Sequence, residues 1–199
     1  DKASFHCLAS DEGLSVTGTA ILRSRDDAER AADTLRFPCV LKPAVKTERW
    51  QSATTAKVFR AETAHELLQH YDRCRHWVDA LIAQEWIEGP DTAHVTCNAY
   101  FDAPSRPHVT FVSRKLRQWP LEGGVGCLSE ECREPAVRDE TVRLFQRAGH
   151  RGLAYLEMKR DPRDGRFVII EPNVGRPTGR SAAADATGIG LVYAHYCVA

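Results

Sequence analysis

The sequence predicts an α+β protein built in two halves. Three observations carry this reading. The first half alternates helix-start signals with short buried strands, and the second half holds long segments of apolar–polar alternation typical of antiparallel strands. No internal repeat or low-complexity segment interrupts the pattern. At 199 residues the chain can form one substantial domain or two small lobes with real cores. The expected division is a helix–strand–helix lead-in over 1–36, a small lobe over 37–90 and a larger lobe over 91–199.

Each element has its own reason. Asp1 to Glu12 has the pattern of a short amphipathic helix with Phe5, Cys7 and Leu8 inward, followed by a strand-like "VTGTAIL". The pattern opens abruptly, as if cut from something longer. Ser24 with Asp27 forms a capping box that starts a helix running to about Leu35. "FPCVLKP" is a buried strand stopped by Pro43, and the polar, glycine-free 44–56 reads as a loop. "AKVFRA" is the next strand. Thr63 with Glu66 is a second capping box, for a helix with Leu67, Leu68 and Tyr71 inward. "ALIAQEWI" is a strand ended by the turn signal "EGPD".

In the second half, "HVTCNAYF" and "PHVTFVSRKLRQW" alternate as antiparallel strands. "EGGVGC" reads as a flexible loop, and "PAVRDETVRLFQRAG" as a helix with Pro in its first turn and Gly149 at its end. "LEMKRDPRDGRFVIIEPN" is a hairpin whose three-residue turn, 163–165, places Gly165 at the left-handed position. A Gly/Pro/Arg-rich loop and a final apolar helix over about 188–198 complete the chain.

Bulk properties exclude several functions. Lysine plus arginine and aspartate plus glutamate each number 27, so formal net charge is zero and no nucleic-acid or anionic-membrane footprint is expected. Apolar runs are strand-sized, so no transmembrane helix is expected, and no signal peptide is visible. Seven scattered cysteines without a C-x-x-C pair suit reduced thiols in a cytoplasm. "HELLQH" misses the zinc-protease spacing, its second histidine falling at i+5.

The hairpin poses an electrostatic question. A turn centred on Asp164 sets Glu157 opposite Glu171, and like charges facing each other destabilise a ladder. That register also puts Phe167, Ile169 and Asn173 on the glutamate face, with Leu156, Met158, Val168 and Ile170 on a core face. Glu157, Glu171 and Asn173 then offer three oxygen ligands to a hard cation such as Mg²⁺. The plainer alternative is a solvated face neutralised by Lys159, Arg160 or another arginine.

Other candidates have similar pairs of readings. Lys42 ends a buried strand, and Lys57 could lie beside it, bridged by a phosphate; otherwise both are snorkelling edge lysines. Gln84, the backbone of Glu85 to Ile87, and Asp91 could meet a base and a ribose, or simply end a strand at an acidic turn. Arg114, Lys115 and Arg117 could hold phosphate or carboxylate, or be a wet loop. In "GRPTGRS", Arg176, Arg180 and backbone donors could bind an anion, with Ser181 capping a following helix.

The order of these signals resembles the ATP-grasp superfamily. A strand lysine before proline, an adenine-type hinge and a hairpin ending in E-x-N follow one another, from "DKASF" to "EPNVGRPTGRS". "KRDPRDGRFVIIEPN" is similar to the branch of carbamoyl-phosphate-synthase-like and D-aspartate-ligase-like carboxylate–amine ligases. The resemblance implies two α+β lobes clasping ATP between antiparallel sheets. Lys42 and Lys57 would contact phosphates, Gln84, Glu85 and Ile87 the adenine, and Asp91 the ribose. Glu157, Glu171 and Asn173 would hold Mg²⁺, and Arg176, Arg180 and Ser181 would face the γ-phosphate or acyl group.

The implied reaction is ATP-dependent activation of a carboxylate as an acyl phosphate, then attack by an amine. It needs positioning and charge neutralisation, and no side-chain nucleophile. Small carboxylates and amines would be the partners, with no nucleic acid and no membrane. Two departures stand out: the family's glycine-rich phosphate lid is replaced by "AVKTERWQSATTA", and by the resemblance the domain that usually precedes this region would end before the given sequence starts. They motivate a second reading, a non-catalytic nucleotide-binding module of a larger synthetase. A third reading is a plain structural domain with a salt-bridged sheet.

Overall fold

A computed structural model describes residues 9, 13–119 and 124–198 of the chain. The expected helix over Asp1 to Glu12 lies almost wholly outside the described residues. Contacts divide the chain into two compact units, Asp1–Trp86 and Ile87–Ala199. The division falls between Trp86 and Ile87 rather than at 90/91.

Unit 1 is a four-stranded antiparallel sheet in the order β1-β4-β2-β3, from β1 (Thr19–Leu22), β2 (Cys39–Pro43), β3 (Phe59–Ala61) and β4 (Leu81–Glu85). Helix α1 (Arg25–Thr34) follows the Ser24 capping box, in which the serine accepts from the Asp27 N–H and Asp27 accepts from the Ser24 N–H. Its Ala28, Ala31 and Ala32 join Leu22, Leu41, Trp50, Leu67, Tyr71 and Leu81 in one core. β1 and α1 are thus integral to this sheet and its core.

Two local readings of unit 1 need correction. The polar stretch 44–56 contains a short helix, α2 (Glu48–Ala53), because Thr47 caps it through the Trp50 N–H and drives Trp50 into the core. In α3 (Ala64–Cys74), Thr63 accepts from the Glu66 N–H, but Glu66 reaches the N–H of Glu62 rather than of Thr63. The helix still turns Leu67 and Tyr71 inward, with Leu68 packed beside them.

Unit 2 is a five-stranded antiparallel sheet in the order β7-β6-β5-β8-β9: β5 (His94–Phe101), β6 (Pro107–Trp119), β7 (Val125–Glu131), β8 (Gly152–Arg160) and β9 (Phe167–Val174). α4 (Pro135–Arg147) brings Val137, Thr141, Leu144 and Phe145 onto one face, where Phe145 meets Phe101 at 5.5 Å. α5 (Thr178–Ala186) and α6 (Leu191–Val198) cover part of the other face, closing a core of Tyr100, Phe111, Leu153, Ala184 and Leu191.

The sequence reading missed α5, which starts after Pro177 with no side-chain cap. Ser181 accordingly lies inside a helix and does not cap one; its hydroxyl donates to the Pro177 carbonyl at 2.6 Å. The expected "EGGVGC" loop holds the start of β7 instead, an exposed edge strand, while 122 and 123 lie outside the described residues.

Candidate functional site

The β8–β9 hairpin departs twice from the simple reading, and the departures cancel. Asp161 and Arg166 close the turn through a 2.8 Å backbone bond, so Pro162, Arg163, Asp164 and Gly165 make a four-residue loop. Gly165, at φ 75°, takes the left-handed position, and Arg163 clamps the Asp161 carboxylate. This loop pairs Arg160 with Phe167, Lys159 with Val168 and Met158 with Ile169. Carried on unbroken, that register would send Glu171 to the core face.

A bulge at Ile170 restores it. Beyond the bulge Glu157 faces Glu171, and Tyr155 faces Asn173. The expected glutamate pair and its asparagine neighbour therefore share a face. The core-face residues near the turn change: Ile169, rather than Ile170, packs with Met158, and both are buried.

The register extends this face across the sheet. Glu157 lies opposite Thr96 on β5, which lies opposite Ser113 on β6. Period-two alternation adds His94 and Asn98 on β5, Lys115 on β6 and Lys159 on β8. This end of the face is polar yet buried: Thr96, Asn98, Ser113, Lys115 and Lys159 are each at most 6% exposed. Beyond Asn98 the same face becomes the Tyr100–Phe111–Leu153 core under α5 and α6.

Among the described residues, His94 Nδ1, Asn98 Oδ1 and Ser113 Oγ are buried without a hydrogen-bond partner. Buried polar atoms in this state are uncommon, and ordered water or an ion is the usual partner that completes them. Burial, then the charges of Lys115, Lys159 and Arg180, push the His94 pKa down to about 3, so its ring is neutral. Burial also lowers the Lys115 ammonium, against the opposing pull of Glu157 and Asp91.

Arg180 on α5 places Nη1 3.8 Å from Glu157 Oε1. The backbone of β7 approaches closely here: a Cβ at Gly126 would stand 3.4 Å from Lys115 Cε and 3.5 Å from Arg180 Nη2. Lys115 Nζ also donates to Gln118 Oε1 at 3.1 Å, while the Gln118 N–H donates to Asp91 Oδ2 at 3.2 Å. Asp91 opens a 3-10 turn ahead of β5, and Ile87 is buried at the start of unit 2. Arg176 is exposed on the segment between β9 and α5. Arg114, from the basic cluster, turns instead toward Glu130 and Glu134 at 3.9 and 3.7 Å.

Unit 1 brings its own candidates together. Lys42 Nζ donates to Gln84 Oε1 at 2.6 Å, and Gln84 Nε2 donates to Thr17 Oγ1 at 2.7 Å. Glu85 accepts from the Arg36 N–H at 3.2 Å. Lys57 does not join them through the ladder. β2 and β3 pair as far as Leu41 with Phe59, so Lys57 is exposed and precedes the strand.

No group of three or more His, Cys, Asp or Glu side chains suited to a metal occurs among the described residues. Glu157, Glu171 and Asn173 are instead two carboxylates and an amide on one face. That all-oxygen set fits a hard divalent cation completed by phosphate oxygens and water, the usual habit of Mg²⁺.

No protein-family profile matches the chain. Sequence comparison finds the D-alanine–D-alanine ligase of Stutzerimonas stutzeri, 25% identical over 165 residues, covering 81% of this chain and 50% of that protein. The D-aspartate ligase of Enterococcus faecium is 26% identical over 193 residues, covering 92% of this chain and 45% of its own. The chain thus spans about half the length of the curated relatives it matches. Among solved structures, the biotin carboxylase domain of Hydrogenobacter thermophilus 2-oxoglutarate carboxylase, in complex with MgADP and bicarbonate, superposes with a TM-score of 0.74. It is 15% identical, covering 95% of this chain and 42% of its own.

The chain has the ATP-grasp fold. Its sequence relatives are ligases of that fold, and the two α+β units with antiparallel sheets are those the resemblance implied. The strand register brings Lys115, Lys159 and His94 onto the glutamate face, a grouping the sequence alone did not make. The signal was available in β5, where polar residues recur at every second position through His94–Thr96–Asn98 in an otherwise apolar strand; in β6 Arg114 between Ser113 and Lys115 masks it.

Proposed function

We propose that this chain is the ATP-binding part of an ATP- and Mg²⁺-dependent carboxylate–amine ligase. The observation that carries the reading is Glu157 opposite Glu171, with Asn173 on the same face. The names of the relatives, D-alanine–D-alanine ligase and D-aspartate ligase, point to amino-acid-type carboxylates and amines. The MgADP and bicarbonate in the structural neighbour support the nucleotide, the metal and a small carboxylate-like acceptor.

In this reading Glu157, Glu171 and Asn173 hold Mg²⁺, which neutralises phosphate charge. Lys42 and Lys57 contact phosphates, joined by Lys115. Gln84 meets the adenine amino group; beyond its bonds to Lys42 and Thr17 it keeps a second amide hydrogen and a second lone pair. Backbone at Glu85 and Ile87 completes adenine recognition, and Asp91 takes the ribose. Arg180, and Arg176 after it, bind the transferring phosphoryl or the acyl group.

The γ-phosphoryl passes to the substrate carboxylate, leaving ADP and an acyl phosphate. The amine then attacks the carbonyl carbon, phosphate leaves, and a C–N bond forms. Fixed cations compensate the charge that develops on the transferring group. Cys39, Cys74, Cys97, Cys127, Cys132 and Cys197 are free thiols, which suits work in the reducing cytoplasm. No described helix is long and apolar enough to cross a membrane.

The test is nucleotide binding by calorimetry with and without Mg²⁺. Wild type is expected to bind ATP with Mg²⁺, and Glu171→Gln to lose at least tenfold in affinity only when Mg²⁺ is present. Absence of Mg²⁺-dependent ATP binding by the wild type overturns the proposal. For the full-length protein, ADP release stimulated by particular amino acids identifies the substrates.

A further inference from the structure

Unit 2 carries a second charged cleft, on the sheet face that α4 covers. The beginning of β6 and the outer side of α4 line an open groove of about 610 Å³, a volume within the range of small-molecule sites. The site face of Glu157 is the opposite one, since Thr110 pairs with Ala99, one position out of phase with Thr96 and Asn98.

The lining is strongly cationic. Arg138, Arg143 and Arg147 of α4 line the cleft together with Asp139. Arg138 meets Asp139 at 2.7 Å, and Arg143 meets Glu140, outside the lining, at 2.8 Å. The Arg138–Asp139 pair is exposed on both sides and of a kind that contributes little, whereas Glu140 is largely buried beside Arg143. Across the cleft stands His108, whose Nε2 lies 2.9 Å from Oδ2 of Asp102. Asp102 is buried and also accepts from the N–H of Arg106 at 2.7 Å and from its guanidinium at 2.9 Å, so the imidazole is fixed in orientation by a rigid anchor.

Several guanidinium forks around one space match a tetrahedral dianion better than a single carboxylate, which one fork satisfies. The volume exceeds that of a bare phosphate, and Pro107 and Val142 supply apolar surface for an organic remainder. We propose that this cleft binds a small phosphorylated metabolite. Its phosphate sits among Arg138, Arg143 and Arg147 with His108 across, and its carbon skeleton lies on Pro107 and Val142. The site is separate from the one assigned to ATP and does not depend on that assignment.

Inorganic pyrophosphate serves as the probe, titrated into the whole chain by calorimetry with sodium chloride at equal ionic strength as the control. The comparison uses wild type, Glu171→Gln and the double variant Arg143→Ala/Arg147→Ala, whose replaced side chains are exposed and not part of the core. Binding retained in Glu171→Gln and weakened at least tenfold in the double variant supports the proposal. Three outcomes overturn it: affinity unchanged in the double variant, binding abolished by Glu171→Gln, or a pyrophosphate response no larger than that of chloride. Arginine Nε–Hε resonances of the wild type, shifted by pyrophosphate and absent from the double variant's spectrum, locate the binding.

Discussion

His94 has its protonation state dictated by its surroundings. Burial and the charges of Lys115, Lys159 and Arg180 push its pKa down to about 3, against an ordinary value of 6.5. The unfolded chain therefore takes up a proton as pH falls below 6.5 that the folded chain refuses. Stability is lost over that window, down to about 3. At pH 5 the contribution amounts to about 2 kcal/mol relative to neutral pH. Replacing His94 with Gln should remove that part of the acid sensitivity, leaving a smaller gap between urea midpoints at pH 7 and pH 5 than wild type shows. An equal gap in both proteins would place the acid sensitivity elsewhere. Gly126 is the second test at this scale. A methyl there meets Lys115 and Arg180 at ordinary contact distance, and the further methyls of a valine would press on those two side chains. Gly126→Ala should leave Mg²⁺-dependent ATP binding intact, and Gly126→Val should weaken it by about tenfold.

The elements show where the sequence was transparent and where it was not. Ser24 announced α1 and also explains it, since its capping box satisfies both partners. Ser24→Ala should cost about 1 kcal/mol, read as a lower denaturant midpoint with unchanged slope. β5 and β8 were legible because apolar residues recur at every second position, Val95–Cys97–Ala99 and Ala154–Leu156–Met158, β6 because burial alternates through Phe111, Ser113 and Lys115, and β9 because an apolar run follows the turn. β7 was not, because it is an exposed edge strand with no such alternation, and its glycine reads locally as loop. α2 and α5 were hidden for another reason. One is six residues long within a polar stretch, and the other begins after Pro177 without a side-chain cap. The hairpin placed Glu157 and Glu171 correctly by a route that was half wrong: a longer turn and a bulge offset each other. That arrangement makes an unusual prediction. Deleting Ile170 regularises the ladder and keeps Glu171 opposite Glu157, so ATP and Mg²⁺ binding should survive. Deleting Ile169 and Ile170 together moves Glu171 opposite Met158, and binding should disappear. Circular dichroism of both variants separates loss of the site from loss of the fold.

At the scale of the whole molecule, the candidate residues are divided between two units, each with its own sheet and core. Unit 1 holds the linked Lys42 and Gln84, while unit 2 holds the glutamate pair, Asn173, Lys115 and Arg180. The elements of unit 2 close a core from β5, β6, β8, α5 and α6 and a second layer under α4, without borrowing strands from unit 1. Residues 87–199 expressed alone should therefore unfold cooperatively, in a single denaturant transition. They should retain Glu157, Glu171 and Asn173, proposed for Mg²⁺, but lack Lys42, Lys57 and Gln84. If those three contribute as proposed, the isolated unit should bind ATP with Mg²⁺ at least tenfold more weakly than the whole chain, a loss of about 1.4 kcal/mol. Equal affinity in the two proteins would confine nucleotide recognition to unit 2 and remove Lys42, Lys57 and Gln84 from the site.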